Sequence, residues 1–190
     1  MSTFEIDETA LLIMDYQNEI VANYAGGDAE LTKRASSVLD AARGAGIPVI
    51  HVVVRFRAGH PEVADRGVFK GIKAAGAMVE GTDGVEIHPD VAPHPSDIVV
   101  TKKRIGAFTG SDLDVVLRSL GSRHLILLGI ATSGVVLSTA RAAADLDFDL
   151  TIVADCCADQ DEEVHRVLTQ KVFARSATVT SAAELLVELG

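Results

Sequence analysis

Three segments of this chain place polar groups directly after apolar runs, and together they offer acid–base chemistry. Asp15 follows the run TALLIM, Lys102 follows DIVVT, and the turn GIATSG at 129–134 follows HLILL. Ligands of an open parallel sheet bind beyond the carboxyl ends of its strands, where a partly desolvated carboxylate and ammonium attract each other. Taken alone, each of these residues is equally well explained as a polar group that ends its strand in solvent and has no part in a site. Three such groups at corresponding strand ends favour a site.

The elements that position these groups alternate along the chain in the manner of an α/β protein. Apolar runs that are short, β-branched and continuous are typical of strands buried on both faces. The predicted strands span 9–15, 48–55, 97–102, 124–130, 150–155 and 177–180. The predicted helices span 28–46, 111–121, 134–146, 161–174 and 181–189. This alternation predicts a parallel sheet with helices on both faces, which is a three-layer α-β-α architecture.

One region interrupts the alternation, and we expect it to have a specific role. Residues 56–96 carry four of the five prolines, several glycines and at most one short helix. A loop of this length inside a compact domain commonly shapes a pocket or an interface. A chain of 190 residues fits one domain with an ample core. We therefore predict a single domain over 1–190 whose long loop forms a pocket or an interface.

Composition argues against several classes of function. The net charge of −10 and the lack of a dense basic cluster disfavour a nucleic-acid partner. No apolar run approaches the length that a bilayer requires, so we expect no membrane association. The N-terminal segment has no secretory signal, and a disulfide between the adjacent Cys156 and Cys157 would be strained. Both observations favour a cytoplasmic protein.

The chain resembles the isochorismatase-like hydrolase superfamily over nearly its whole length, on three segments that are specific only together. These are LLIMDYQNEI, which matches a strand–Asp–x–Gln opening, VVTKKRIGAFTGSDLDVVLRSLG, which matches a Lys–x–x–x–small–small–Phe segment, and LLGIATSGVVLSTARAAADLDFDLTIVADCCAD. The resemblance implies a six-stranded sheet in the order 3-2-1-4-5-6, a cis peptide at 130–131 and a homo-oligomer, either a dimer or a tetramer. It also implies a triad of Asp, Lys and Cys, whose first two members correspond to Asp15 and Lys102.

The third position of that triad is where the sequence departs from the resemblance. The family cysteine corresponds to Val135, whose isopropyl group has no lone pair with which to attack a substrate. Isochorismatases resemble one another in having Gly there, so Val135 matches neither branch. Ser133 does not stand at the centre of a Gly-x-Ser-x-Gly turn, and we expect Cys156 and Cys157 to be structural. We therefore predict a member of the family that lacks the nucleophilic cysteine.

The turn after the fourth predicted strand supplies further candidates. Backbone N–H groups of Ala131 and Val135 begin a helix, where they are candidates to stabilise a negatively charged oxygen. Thr132 and Gly134 of the same turn are candidates to contact the substrate. A hydroxyl in such a turn commonly bonds to the backbone, so we do not expect Thr132 to attack a substrate.

Four residues outside that turn complete the predicted site. Gln17 is a candidate to orient substrate or water, although it fits a polar residue at a helix start equally well. Phe108 is a candidate to line the cleft, although a lone Phe after a strand is often part of the core. Arg55 and Arg104 are candidates to bind a substrate carboxylate. The histidines lack metal-ligand spacing, so we expect no metal and no cofactor.

Together, these residues predict a hydrolase of this family that acts on a small, carboxylate-bearing molecule without a covalent intermediate. Asp15 would act as an acid, or as a base toward water, while Lys102 holds the substrate, as in the vinyl-ether hydrolysis of isochorismate. An adjacent ammonium lowers the pKa of an aspartate, so either burial or a substrate carboxylate that takes up the charge of Lys102 has to offset that effect. The alternative is a catalytically inactive relic of a cysteine amidohydrolase, of nicotinamidase or carbamoyl-amide hydrolase type, that retains a ligand pocket. Val135 favours this alternative, whereas Asp15 and Lys102 oppose it.

Overall fold

Six parallel strands form the centre of the molecule, in the order β3-β2-β1-β4-β5-β6. The computed structural model describes residues 4–25 and 28–190, so residues 1–3 of the N-terminal segment that we searched for a secretory signal lie outside the described residues. The strands are β1 (Thr9–Met14), β2 (Val49–Val54), β3 (Ile98–Lys102), β4 (His124–Ile130), β5 (Asp149–Ala158) and β6 (Thr178–Thr180). The fold class and the strand order implied by the resemblance are confirmed.

Helices cover both faces of this sheet. The α-helices in the described residues are α1 (Asn18–Tyr24), α2 (Leu31–Gly44), α3 (Lys70–Ala75), α4 (Leu113–Leu120), α5 (Leu137–Asp145), α6 (Glu162–Val167) and α7 (Ala182–Leu189). We did not predict α1, because it is seven residues long, buries only Val21 and so presents no apolar repeat. None of the helices in the described parts of the chain has the length and apolar character to cross a bilayer.

Two predicted helices are less regular than their patterns suggested. The helix predicted at 134–146 begins with a π-helical turn, Thr132–Val136, and becomes α-helical only at α5. The helix predicted at 161–174 consists of α6, a π-helical turn at Leu168–Val172 and a 3₁₀ turn. Single π turns inside helices are frequent at functional sites. The first of these turns follows β4 directly, at the predicted site.

The sheet separates two apolar cores, because successive side chains of a strand point to opposite faces. On β1, Leu11 and Ile13 belong to the core that α2 and α7 cover. Ala10, Leu12 and Met14 belong to the other core, under α4 and α5. All six residues of β1 are buried. The strand that precedes Asp15 is therefore held from both faces and from both neighbouring strands.

Gly129 lets the turn after β4 pack directly against the sheet. A Cβ atom at this position would lie 2.9 Å from Cγ2 of Val136, 3.2 Å from Cγ1 of Val135 and 3.3 Å from Cβ of Met14. These distances are shorter than ordinary carbon–carbon contacts. The placement of Val135 beside the sheet therefore depends on the missing side chain of Gly129.

We predict that Gly129→Ala lowers the free energy of unfolding by about 1–3 kcal/mol, because the added methyl group overpacks the core. Urea denaturation measures the effect. The matched control is Gly44→Ala in α2, where a new Cβ would meet no atom within 4 Å. The control should leave stability unchanged or slightly higher. Equal effects of the two substitutions would contradict the close packing at Gly129.

Candidate active site

Asp15 and Lys102 form an ion pair at the carboxyl ends of the central strands. Nζ of Lys102 lies 2.8 Å from Oδ2 of Asp15, and the two side chains are 2% and 7% exposed, respectively. Lys102 ends β3 and Asp15 follows β1, so strand β2 lies between them. Adjacent strands are about 4.8 Å apart, so the lysine side chain has to cross the end of β2 to reach the carboxylate. A shorter basic side chain would not span this distance.

The ammonium of Lys102 has no hydrogen left for a substrate. Besides Asp15, it donates to the carbonyl oxygen of Arg104 at 3.0 Å and to that of Ile105 at 2.8 Å. A lysine ammonium has three N–H donors. All three donors are therefore engaged within the chain, an arrangement that does not favour the role of Lys102 in holding a substrate carboxylate, and that role stays a prediction.

Asp15 is held asymmetrically. Its backbone has a φ of 60°, in the left-handed region that non-glycine residues rarely adopt, and its N–H donates to the carbonyl of Val52 at 2.8 Å. Lys102 holds Oδ2, whereas Oδ1 is buried with no hydrogen-bond partner among the described residues. Burial raises the pKa of Asp15 above its ordinary value, and this effect exceeds the lowering caused by Lys102. Burial therefore offsets the effect of Lys102 on the pKa of Asp15, which is one of the two possibilities that the sequence left open.

Gln17 ties the end of β2 to the long loop. Its Nε2 donates to the carbonyl of Val54 at 3.0 Å and to that of Val85 at 2.7 Å, while its Oε1 accepts from the N–H of Val54 at 2.8 Å. Gln17 is fully buried and does not line the cavity described next. Both N–H groups of its amide and its oxygen are engaged, so it has no free donor for a substrate.

A cavity of about 400 Å³ lies beside the ion pair. Five of the predicted site residues line it, namely Asp15, Lys102, Ala131, Gly134 and Val135. The remaining lining comes from α1, from the long loop and from single residues of β2, β4 and the turn after β3: Glu19, Ile20, Asn23, Tyr24, Val54, Phe69, Ile72, Ala77, Met78, Ile105 and Ile130. Pockets of this size are typical of small-molecule sites.

The π-helical turn is fixed from the side away from this lining. The hydroxyl of Thr132 lies 2.8 Å from Nδ1 of His165, and the N–H of Ser133 donates to Oδ2 of Asp159 at 2.7 Å. Thr132 is fully buried and does not line the cavity. Thr132 thus anchors the turn that carries Ala131 and Val135, and its hydroxyl is engaged by His165.

Three other predicted residues lie outside the cavity. Phe108 and Arg104 line a neighbouring cavity of about 470 Å³, and the ring of Phe108 packs near that of Phe148 at a centroid distance of 6.2 Å. Arg55 donates to the carbonyl of Val85 and contacts Glu86, each at 3.3 Å. The structure therefore does not place the side chains of Phe108, Arg55 or Arg104 in the lining of the cavity beside the ion pair, although the backbone carbonyl of Arg104 contacts Lys102.

Val135, rather than a thiol, borders the cavity beside Ala131. Its side chain is 2% exposed. The peptide bond between Ile130 and Ala131 is cis, which confirms the expectation from the resemblance. Both cysteines lie in β5, buried and outside the cavity lining. Burial raises the pKa of both thiols, that of Cys157 to about 12, so both remain protonated at neutral pH.

The sequence did not identify the lining residues of α1 and of the long loop. In α1, Ile20 and Tyr24 lie one helical turn apart, which is a signal, but the helix is too short for a reliable pattern. The composition of 56–96 indicated a functional loop without indicating which side chains face a ligand. Within the described ranges, no group of three or more His, Cys, Asp or Glu side chains is placed to hold a metal ion.

Comparison with known proteins decides the family. The family model described as an isochorismatase domain matches residues 9–184. This chain belongs to the isochorismatase family. It is 33% identical over 181 residues to the isochorismatase family protein YecD of Escherichia coli O157:H7, with 94% of each chain covered. It is 32% identical over 169 residues to the ureidoacrylate amidohydrolase RutB of Caulobacter vibrioides (strain ATCC 19089), covering 77% of this chain and 75% of that one.

A solved structure of the isochorismatase family has the same fold. The family protein from Burkholderia thailandensis matches this chain with a TM-score of 0.85 and 26% identity, covering 100% of this chain and 98% of that one. Asp15, Lys102 and Val135 all lie within the residues that the isochorismatase domain matches. Membership of the family is thereby confirmed, while the loss of a nucleophilic cysteine from this chain stays a prediction.

We predict that Gln17→Leu destabilises this isochorismatase fold by more than about 2 kcal/mol, because it removes the side-chain partners of the buried N–H and C=O groups of Val54 and leaves the carbonyl of Val85 only its longer bond from Arg55. The matched control is Asn18→Ala, which removes an exposed hydrogen bond to the carbonyl of Asp83. We expect the control to cost well under about 1 kcal/mol. Thermal and urea unfolding measure both. A Gln17 variant as stable as the control would contradict the structural role of the amide.

Proposed function

We propose that this protein is a hydrolase that acts on a small molecule by acid–base chemistry of Asp15, without a covalent intermediate. The observation that carries the proposal is the asymmetry of the carboxyl group. Lys102 holds Oδ2, while Oδ1 is buried without a partner in the described residues, beside a cavity of suitable size. A raised pKa supports proton transfer by this group near neutral pH.

The proposed reaction uses water as the nucleophile. As a base, Asp15 takes a proton from water at Oδ1 while the water oxygen bonds to the substrate carbon, and the proton then passes to the leaving group. As an acid, Asp15 instead gives its proton to the substrate; water then adds and returns a proton to Asp15, and the bond to the leaving group breaks. Lys102 keeps the carboxyl group in place during either sequence, and N–H groups of Ala131 and Val135 are the proposed donors to a developing negative oxygen.

A route through a covalent intermediate has less support from this cavity. Val135 offers no nucleophilic atom, and the thiols of Cys156 and Cys157 lie outside the lining with raised pKa values. The relative named for ureidoacrylate makes that amide a reasonable member of the substrate panel. The panel also includes isochorismate and esters.

We predict that Asp15→Asn lowers kcat/KM by about 10²–10⁴-fold on any substrate that the protein hydrolyses, because the proton-transfer group is lost. A steady-state assay over the panel measures this, with the surface variant Glu163→Gln as control. The pH profile gives the role of Asp15. Activity that rises with pH, through a value above 3.8, indicates a base, and activity that falls indicates an acid. Unchanged hydrolysis in Asp15→Asn would refute the site.

A second candidate function is ligand binding by a relic of a cysteine amidohydrolase. The burial of Val135 against the cavity favours it. This candidate predicts that Val135→Cys gains amidase activity, because the surrounding machinery is still positioned for a thiol. Val135→Ala is the control, since it opens similar space without sulfur. Gain in the Cys variant alone supports the relic, and no gain in either variant contradicts it.

A further inference from the structure

The charged side chains that line the cavity leave it without a free cation. They are Asp15, Glu19 and Lys102. Lys102 is consumed by Asp15 and by the carbonyl oxygens of Arg104 and Ile105. Among the described lining residues, the cavity thus contains a closed ion pair and one additional carboxylate, which is that of Glu19.

Two basic side chains that follow Lys102 in the chain, those of Lys103 and Arg104, are committed to other partners. Arg104 donates to the carbonyl oxygens of Lys103 and Glu62, and it stacks over the ring of Phe69. Lys103 donates to the carbonyl of Arg55 and to Glu80. Phe69 lines both the cavity beside the ion pair and the neighbouring cavity that Arg104 lines, whereas Arg104 lines only the neighbouring one.

The rest of the lining suits an apolar ligand. Its apolar members outside the turn that carries Val135 include Ile20, Val54, Phe69, Ile72 and Met78, and its uncharged polar side chains are those of Asn23 and Tyr24. An uncharged molecule gains free energy when its apolar surface leaves water. An anion would instead lose its hydration without finding a cationic partner, and it would lie near the carboxylates of Asp15 and Glu19. The lining therefore discriminates by charge.

We propose that the cavity selects a compact, uncharged amide or ester with an apolar body and excludes carboxylates. The choice of an amide or ester rests on the proposed function, because it presumes hydrolysis by Asp15. In that reaction, water supplies the oxygen of the new C–O bond, the C–N or ester C–O bond breaks, and a proton goes to the departing amine or alcohol. The other product is a carboxylate, which the same cavity disfavours, so the charge created by the reaction promotes its release.

A matched pair of ligands tests the selectivity independently of turnover. Cyclohexanecarboxamide and cyclohexanecarboxylate share one apolar body and differ in charge at neutral pH. Isothermal titration calorimetry at constant ionic strength should give a Kd for the amide at least about tenfold lower than for the acid. Binding of the acid as tight as that of the amide, or no detectable binding of the amide, would overturn the proposal.

Glu19 gives the sharpest variant, because it reverses a charge at the cavity without touching the ion pair. Glu19→Lys should raise the affinity for the acid by at least about tenfold and change the affinity for the amide by less than about threefold. Glu163→Lys makes the same charge change on α6, outside the lining, and should change neither affinity by more than about twofold. An equal gain in affinity for the acid in both variants would contradict the proposal, because the effect would then not depend on a charge at the cavity.

Arg104→Gln tests whether the neighbouring cavity supplies a cation. The amide preference of the wild type should persist in this variant. Acid binding that is present in the wild type and lost in Arg104→Gln would overturn the proposal, since Arg104 would then reach the ligand.

The outcomes separate this inference from the proposed function. Amide-selective binding together with normal hydrolysis in Asp15→Asn would refute the acid–base function and leave the selectivity standing. Loss of hydrolysis in Asp15→Asn together with a preference for carboxylate substrates such as ureidoacrylate would support the acid–base function and refute the selectivity.

Discussion

The buried ion pair between Asp15 and Lys102 is the interaction on which the site depends. Removing two charges from water costs several kcal/mol per ion, and their mutual attraction offsets this only where further hydrogen bonds complete the shell of each group. The shell of Lys102 is complete, because two backbone carbonyls join Asp15 around its ammonium. The shell of Asp15 is not, because Oδ1 has no partner among the described residues. That imbalance is the basis of our proposal that Asp15 transfers protons.

The sheet order explains why such a pair can form at all. Strand β2 separates the strands that carry the two charges, so the lysine side chain passes over the end of β2, where Val54 pairs with Lys102. A strand end exposes backbone N–H and C=O groups, and in a buried location these need partners. The amide of Gln17 satisfies both groups of Val54. Gln17, two residues after Asp15, therefore satisfies the polar groups at the end of the strand that the lysine side chain crosses.

The sequence predicted what depends on periodicity and on strand ends. Short apolar runs predict the positions of the strands, and the rule that ligands bind beyond strand ends predicts that Asp15 and Lys102 lie in one site. The sequence did not predict the occupation of Lys102 by two carbonyls, because those bonds depend on the path of the turn after β3. It left open whether Gln17 and Phe108 contact a ligand or stabilise the fold, since the role of a polar or aromatic residue near a strand end depends on contacts that are distant in sequence.

The apolar side chain of Val135 and the neutralised charge of Lys102 together determine the polarity of the site. Gly129 lets the turn approach the sheet so closely that the side chain at 135 is pressed against β4 and buried. The branched apolar side chain of Val135 adds to a lining that is already mostly apolar. The charge of Lys102, which also lines the cavity, is neutralised by Asp15. Low polarity disfavours the charged form of a carboxyl group, which is why the effect of burial dominates the pKa of Asp15. The exclusion of anions and the proton transfer by Asp15 that we propose would therefore have the same physical origin: among the described residues, the lining is mostly apolar and its one cationic side chain has no donor left for a ligand.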